Sequence, residues 1–404
     1  MCNRTAILSG RRTVGTWDNR KTDREFDSRQ ARDGAPGRGF ATSFAAYSDV
    51  AMSTPNKILL DPYSRTIDML FSEHDKARLE SLGQVLWFDG SPAPDAHIDE
   101  HLPAAIALIG QAPMPRKRLD QAPNLRAIFN VSGGFDPRVD HEECHRRHIH
   151  VLSCSRAFAP AVAEMALGMA LAAARGITTG DTNVRQGTET YSFQSNEGCF
   201  LLRGKTFGLI GCGNVGSALA RLLQVFDGDV LVHDPWIHDQ VLAQQGCQPV
   251  GLDELFSRSR IVFIVSAPTW ENEHGLGARH FAMMKRGSVV VLVGRADVVD
   301  FDALLDAADS GHIRAAIDVY PHEPVAPDHR VRTTANAVLS SHRCGGLPEA
   351  YRDIGRMVVD DLELILRDLP PQRMQSAGIE ILRRLCQIGR APCTCSCQAG
   401  NLSQ

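Results

Sequence analysis

The stretch Lys205–Pro235, KTFGLIGCGNVGSALARLLQVFDGDVLVHDP, leaves little freedom to the fold around it. Thr206–Ile210 reads as a short buried strand, and Gly211-Cys212-Gly213-Asn214-Val215-Gly216 follows without a spacer. Ser217–Phe226 then carries Leu219, Leu222, Leu223 and Phe226 at helical spacing. Asp229–His233 is a second strand, with Asp234 at its end. Strand, glycine turn, helix, strand and acid within about 30 residues is the layout of a dinucleotide-binding unit. Gly211 allows the tight turn, Gly213 lets the backbone approach a pyrophosphate, and Gly216 lets helix and strand pack closely. The free N–H groups around Asn214 and Val215, where the helix starts, suit a phosphate. Asp234 lies about 18 residues beyond Gly216, where a carboxylate can bond both ribose hydroxyls. It would repel a 2′-phosphate, and no arginine follows it closely, so NAD is expected rather than NADP.

With 404 residues the chain has room for two or three domains. A hydrophobic content of 43% and a charged content of 22% are ordinary for a globular protein. The net charge of -4 gives no reason to expect a nucleic-acid partner. No apolar run is read as reaching the ~18 residues of a membrane span. The best candidate, 162–174, carries Glu164 and reads as a buried helix. Eleven scattered cysteines, with no secretory leader in view, point to reduced thiols and a cytoplasmic setting. Residues 1–55 hold no sustained apolar period and are expected to be a disordered extension. Asp18, Asp23, Glu25, Asp27 and Asp33 are wrong for an arginine-rich targeting leader, and Met52 is an alternative natural start. The tail 377–404 lacks a core and is also expected to be disordered, although Cys393, Cys395 and Cys397 have a spacing that can hold a soft metal.

Strands are expected over 57–61, 84–88, 104–109, 125–130 and 149–152, with a helix over 74–82. The turn Val131-Ser132-Gly133-Gly134, at the end of the fourth of these strands, offers backbone N–H groups to a small anion. Asp140–His150 (DHEECHRRHIH) repeats His and Cys at i, i+4, a metal-like spacing, but reads more simply as a charged helix face, and no metal is expected. Residues 159–176 form an alanine-rich helix suited to an interdomain hinge, and 178–202 are polar and irregular, an arm for a partner subunit. After Asp234, a helix over 252–257 precedes buried strands at 261–266, 288–293, 314–319 and 337–340, and a last helix spans 348–366. Apolar strands alternating with helices mean α/β architecture, with parallel sheets covered on both faces.

Ligands of open parallel sheets sit outside the carboxyl ends of the strands. Arg295, Glu323 and His342 each follow such an end in the domain of the glycine turn. Hydride transfer to a 2-keto acid needs a proton for the forming alkoxide and a cation for the substrate carboxylate. Histidine exchanges a proton near neutral pH, a neighbouring carboxylate fixes its tautomer, and arginine offers a planar fork to a carboxylate.

From about residue 57 to 375 the chain resembles the D-isomer-specific 2-hydroxyacid dehydrogenases. The motifs that carry the resemblance are GLIGCGNVG with HDP at Asp234, VVVLVGRADVVD at Arg295, AAIDVYPHEP at Glu323, LSSHRCGG at His342, and the helix VAEMALGMALAAAR. The resemblance implies two Rossmann-like/flavodoxin-like domains, with the nucleotide-binding one (158–344) inserted into a substrate domain (56–157 and 345–376). It implies that Arg295 anchors the substrate, Glu323 partners the histidine and His342 is the acid/base. It places Asp318 near the nicotinamide amide and Pro268 in the adenine-side loop. Backbone contacts from Val131, Ser132 and Gly133 would reach the substrate carboxylate, and a homodimer would be built on the nucleotide domains. The activity implied is reversible conversion of a small D-2-hydroxy acid to its 2-keto acid with NAD. An NAD-sensing interaction protein, or a dehydrogenase of formate or phosphite, are the alternatives on the same scaffold. Several positions depart from the family pattern: Ser132 stands for a Gly, Ala296 for a Gly, Ser266 for a His, and Cys154-Ser155-Arg156 for Thr-Pro-Gly. One extra residue lies between Asp136 and Asp140. These changes bear on the substrate and leave the proton and hydride machinery intact. The short stretch after the last helix argues against the large serine-pathway phosphoglycerate enzymes.

Overall fold

Apolar strands in this chain are covered on both sides, and they build two sheets. The computed structural model describes residues 56–88, 92–378 and 382. The first sheet takes β1 (Lys57–Asp61), β2 (Gln84–Trp87), β3 (Ala105–Gly110), β4 (Ala127–Asn130) and β5 (His150–Ser153). The second takes β6 (Phe207–Ile210), β7 (Val230–His233), β8 (Gln248–Pro249), β9 (Ile261–Ile264), β10 (Ser288–Leu292), β11 (Ile313–Ile317) and β12 (Ala337–Leu339). The chain then returns to the first sheet as β13 (Gln375–Ser376).

The first sheet has the order β2-β1-β3-β4-β5-β13, parallel except where β13 runs against β5. This is the flavodoxin-like order with one added edge strand. The second runs β8-β7-β6-β9-β10-β11-β12 and is parallel throughout. Its strand order reverses between β6 and β9, and a doubly wound sheet opens its ligand crevice at such a reversal.

Side chains alternate between the two faces of the second sheet, as the strand period requires. Phe207, Leu209, Ile261, Phe263, Val289 and Val291 pack on one side with the alanines of helix Ser155–Arg175. Val262, Ile264, Val290, Leu292 and Ile313 pack on the other with Leu304 and Leu305. In the first sheet, Ile58, Leu60 and Phe129 share a core with Ile354, Val358, Leu362 and Ile365 of the last helix, Pro348–Leu366. That helix therefore belongs to the first sheet although it follows the second in sequence.

Helix Ser155–Arg175 begins four residues before the expected start, with Pro160 inside it. Proline favours a first helical turn, so the sequence suggests a start at its side. Here the extra turn buries Ala157 in the first domain's core, while Ala159 onward enters the second. The helix is long and apolar enough to cross a membrane by length and composition, the one such helix among the described residues, although the sequence reading found no run of that length. Its apolar faces line the core instead, and 44% of its most apolar window is buried.

The arm expected to be irregular contains a helix, Ile177–Gln186, and a 3-10 turn, Ser192–Asn196. Left-handed glycines 176 and 187 bound that helix. None of its residues is buried, so it carries no apolar stripe to announce it. In the histidine-rich segment the helix His141–Arg146 turns His141 into the core, where Nε2 donates to the Asp136 carbonyl at 2.8 Å. Burial pushes its pKa down and keeps the ring neutral. The extension 1–55 and the Cys386–Cys397 tail lie outside the described residues.

Candidate active site

Three neighbouring strands bring the polar strand-end residues together. β10, β11 and β12 lie side by side, and Arg295, Glu323 and His342 follow their carboxyl ends in that order. His342 Nδ1 and Glu323 Oε2 are 2.6 Å apart. With Glu323 ionised, Nδ1 carries the proton of that bond, and Nε2 is left for chemistry. The other carboxylate oxygen, Oε1, accepts the Tyr320 N–H at 3.0 Å. Burial alone would push the Glu323 carboxyl up. The His342 hydrogen bond, the Tyr320 N–H and the charge of Arg295 outweigh it and hold the group below the usual range.

His342 has a left-handed backbone, with φ 51°. A non-glycine residue held there costs about 1–3 kcal/mol and needs support from its surroundings. Asp318 supplies it: its carbonyl accepts the His342 N–H at 2.7 Å. Its carboxylate accepts the N–H groups of Arg343 and Cys344 at 3.1 and 3.3 Å. Asp318 is 1% exposed, and its carboxylate braces the histidine turn. Tyr320 adds a second brace, donating its hydroxyl to the Ser340 carbonyl at 2.6 Å.

The Arg295 guanidinium is exposed and bonds only its neighbour's carbonyl, Gly294 O, at 2.8 Å. In the first domain, the turn after β4 is preorganised by Asn130. The Asn130 side-chain oxygen accepts both the N–H and the hydroxyl of Ser132, at 2.9 and 2.7 Å, and its amide donates to Gly134 O at 2.9 Å. The Ser132 N–H is therefore committed and Val131 is buried, whereas Gly133 and Gly134 are exposed. The anion-facing part of the turn shifts to Gly133-Gly134. Cys154 donates its thiol to Ser132 O at 3.0 Å, and burial pushes that thiol up to about 12, which keeps it protonated.

The glycine turn after β6 has the geometry of a phosphate cradle. Gly211 has φ 91° and lies against the Ser266 backbone. A Cβ on Gly216 would stand 2.3 Å from Gly211 O, whereas a Cβ on Gly213 would meet open space. The helix runs Asn214–Leu223, starting three residues earlier than expected, because the last part of the turn is already helical. Its first closing bond is Ser217 N–H to Gly213 O, which leaves the N–H groups of Asn214, Val215 and Gly216 pointing out of the helix start. The Asn214 side chain does not face the turn. Its amide donates to Ser155 Oγ and Gln375 Oε1, both at 2.7 Å, and so ties the turn to the other domain.

Asp234 accepts the Cys212 N–H at 2.7 Å and the Trp236 N–H at 3.0 Å. A carboxylate has about four acceptor positions, so two remain. Pro268 is half-buried after β9, in a loop that Asn272 pins through Ala267 O and the Thr269 N–H. Asp234 follows β7 and Glu323 follows β11, four strand spacings apart, about 19 Å.

Residues 167–344 match the NAD binding domain of the D-isomer specific 2-hydroxyacid dehydrogenases. A glyoxylate reductase of Thermofilum pendens is 33% identical over 273 residues, covering 65% of this chain and 78% of that protein. The chain belongs to the D-isomer specific 2-hydroxyacid dehydrogenase family. A crystal structure of a phosphoglycerate oxidoreductase from Rhizobium etli is 38% identical with a TM-score of 0.71, covering 80% of this chain and 98% of that one. A D-3-phosphoglycerate dehydrogenase of Archaeoglobus fulgidus is 31% identical over 268 residues, 66% of this chain; the match spans only 50% of that relative's length.

Membership makes this dehydrogenase an oxidoreductase that uses NAD. The exposed N–H groups of the glycine turn, the open face of Gly213 and the remaining acceptor positions of Asp234 fit that cofactor. Sequence reasoning missed the braces. Tyr320 and Cys154 act through backbone carbonyls at the end of the neighbouring strand, and Asn130 acts within its own turn, where the residue type alone does not say which partners its amide takes.

Proposed function

We propose that this dehydrogenase interconverts a small D-2-hydroxy acid and its 2-keto acid. NADH supplies the hydride when bound. Arg295, with the N–H groups of Gly133 and Gly134, holds the substrate carboxylate and turns the carbonyl toward the nucleotide domain. His342 gives its Nε2 proton to the alkoxide oxygen as the carbonyl carbon takes the hydride, and takes the proton back in the reverse direction. Glu323 holds the ring in the required tautomer through its bond to Nδ1. The observation that carries this reading is the 2.6 Å His342–Glu323 contact on the strand ends next to Arg295. Asp234 takes the adenosine ribose, with Pro268 at the adenine side.

Glyoxylate and phosphoglycerate, named for the relatives, set the size of substrate proposed. We also propose a homodimer. Ile177, Val184, Tyr191, Phe193 and Leu201 of the arm are all more than half exposed, a run of apolar surface suited to a second copy. A reducing, cytoplasmic setting fits the free thiols of the described cysteines. The test is stereochemical. With NAD, the D-enantiomers of lactate and glycerate should be oxidised and the L-enantiomers left untouched; equal use of both, or preference for L, would contradict the proposed geometry.

A further inference from the structure

One cation beside the substrate turn has no task in the scheme above. Arg65 stands in the loop after β1, and its guanidinium carbon lies 5.3 Å from the ring centre of Tyr351 and 5.9 Å from that of Phe158. The two rings meet edge to face at 6.3 Å. Phe158 sits between the two halves of the site: a Cβ on Gly133 would lie 3.6 Å from it, and a Cβ on Gly345, three residues beyond His342, would lie 3.0 Å from it. The charge of Arg65 also acts on the Cys154 thiol, which is bonded to Ser132 O. These contacts fix the guanidinium beside the Gly133-Gly134 turn.

Among the described residues, no hydrogen bond or ion pair answers its charge. Arg65 Nε is buried and has no hydrogen-bond partner. The two acids nearest it in sequence are committed elsewhere: Asp61 accepts the Ala93 N–H and faces Arg138, and Asp68 pairs with Lys76. Stacking on two rings satisfies the faces of a guanidinium and leaves its in-plane donors for a planar or tetrahedral anion. A buried unpaired N–H is costly unless a ligand completes it. Arg295 already answers the carboxylate next to the reacting carbonyl, so a second cation implies a second anion.

We propose that Arg65 binds an anionic group at the far end of the substrate, which makes the preferred substrates 2-keto acids that carry a distal carboxylate or phosphate. This rests on the 2-keto acid reading above and deepens it. Arg65 is a specificity-determining residue, with Phe158 and Tyr351 as the rings that aim it.

The test compares kcat/KM with NADH for monoanionic acids (pyruvate, 2-ketobutyrate) and for acids with a second anion. Oxaloacetate and 2-ketoglutarate report on a carboxylate, and phosphohydroxypyruvate on a phosphate. The wild-type enzyme should favour at least one of the second group. Arg65→Met should lower the ratio of the two classes about 10- to 100-fold, chiefly through KM, as expected for loss of a charge-assisted contact. Arg65→Lys should recover part of it. NADH binding and thermal melting report whether each variant is folded. An equal loss on both classes, without rescue by lysine, would make Arg65 a packing residue and overturn the assignment. So would a wild-type enzyme that reduces only the monoanionic acids. Silence on every acid, with NADH bound, would instead overturn the underlying 2-keto acid reading and this assignment with it.

Discussion

His342, the proposed proton donor, is held in place by its neighbours. Its left-handed backbone is held by Asp318, and its ring by Glu323. Glu323 is in turn held by the Tyr320 N–H. Replacing Glu323 by Gln keeps the shape of this chain and removes its charge. We expect kcat to fall about 10- to 100-fold, less than the 10²–10⁴-fold attributed to a whole acid/base group, with NADH affinity little changed. Stopped-flow turnover and fluorescence titration of NADH measure the two quantities; an undiminished kcat would remove Glu323 from the proton path. At this scale the sequence shows which residue types stand at strand ends, and Arg295, Glu323 and His342 are legible there. It does not show that Asn130 consumes the Ser132 N–H, or that Asn214 faces Ser155 and Gln375, because both depend on which side of a turn an amide faces.

The glycine turn and the helix Asn214–Leu223 form the element whose geometry fits the cofactor's phosphates. Its glycines are not equivalent. Gly216 has no room for a Cβ against Gly211 O, whereas Gly213 has open space on that side. Gly216→Ala should therefore lower stability, by about 1–3 kcal/mol as overpacking does. Gly213→Ala should leave melting nearly unchanged and weaken NADH binding, since the added methyl occupies the approach to the turn. Thermal melts and NADH titrations of the two variants separate these effects; a Gly213→Ala enzyme with normal NADH affinity would contradict the cradle. This element was readable because its strand, turn and helix are contiguous and each has its own period. The helix Ile177–Gln186 was not, for the opposite reason: none of its residues is buried, so its sequence carries no stripe.

At the scale of the molecule, two sheets are joined by a helix with one end in each core and by the Asn214–Ser155–Gln375 contacts. The alternation of apolar strands and helices made this α/β class legible, while the flavodoxin-like and doubly wound orders become visible only once the strands pair. The stability of the first domain should depend on acid through Glu143. The Arg146 hydrogen bond, joined by Arg147 and Arg116, pushes its carboxyl down to about 2. A depressed carboxyl stabilises the fold fully above its unfolded value near ~4.3 and loses that contribution as pH falls toward its folded value. Melting temperatures of wild type and Glu143→Gln should thus differ at pH 6, with the gap narrowing as the pH falls to 3 and closing toward 2; a constant gap would contradict the arginine cluster's role. The most direct test of the whole scheme is NADH consumption against glyoxylate, hydroxypyruvate, pyruvate and phenylpyruvate, with NADPH in parallel and His342→Ala beside the wild type. Turnover that prefers NADH and nearly vanishes in the variant, while NADH still binds, is the predicted result. Full turnover by His342→Ala would contradict it.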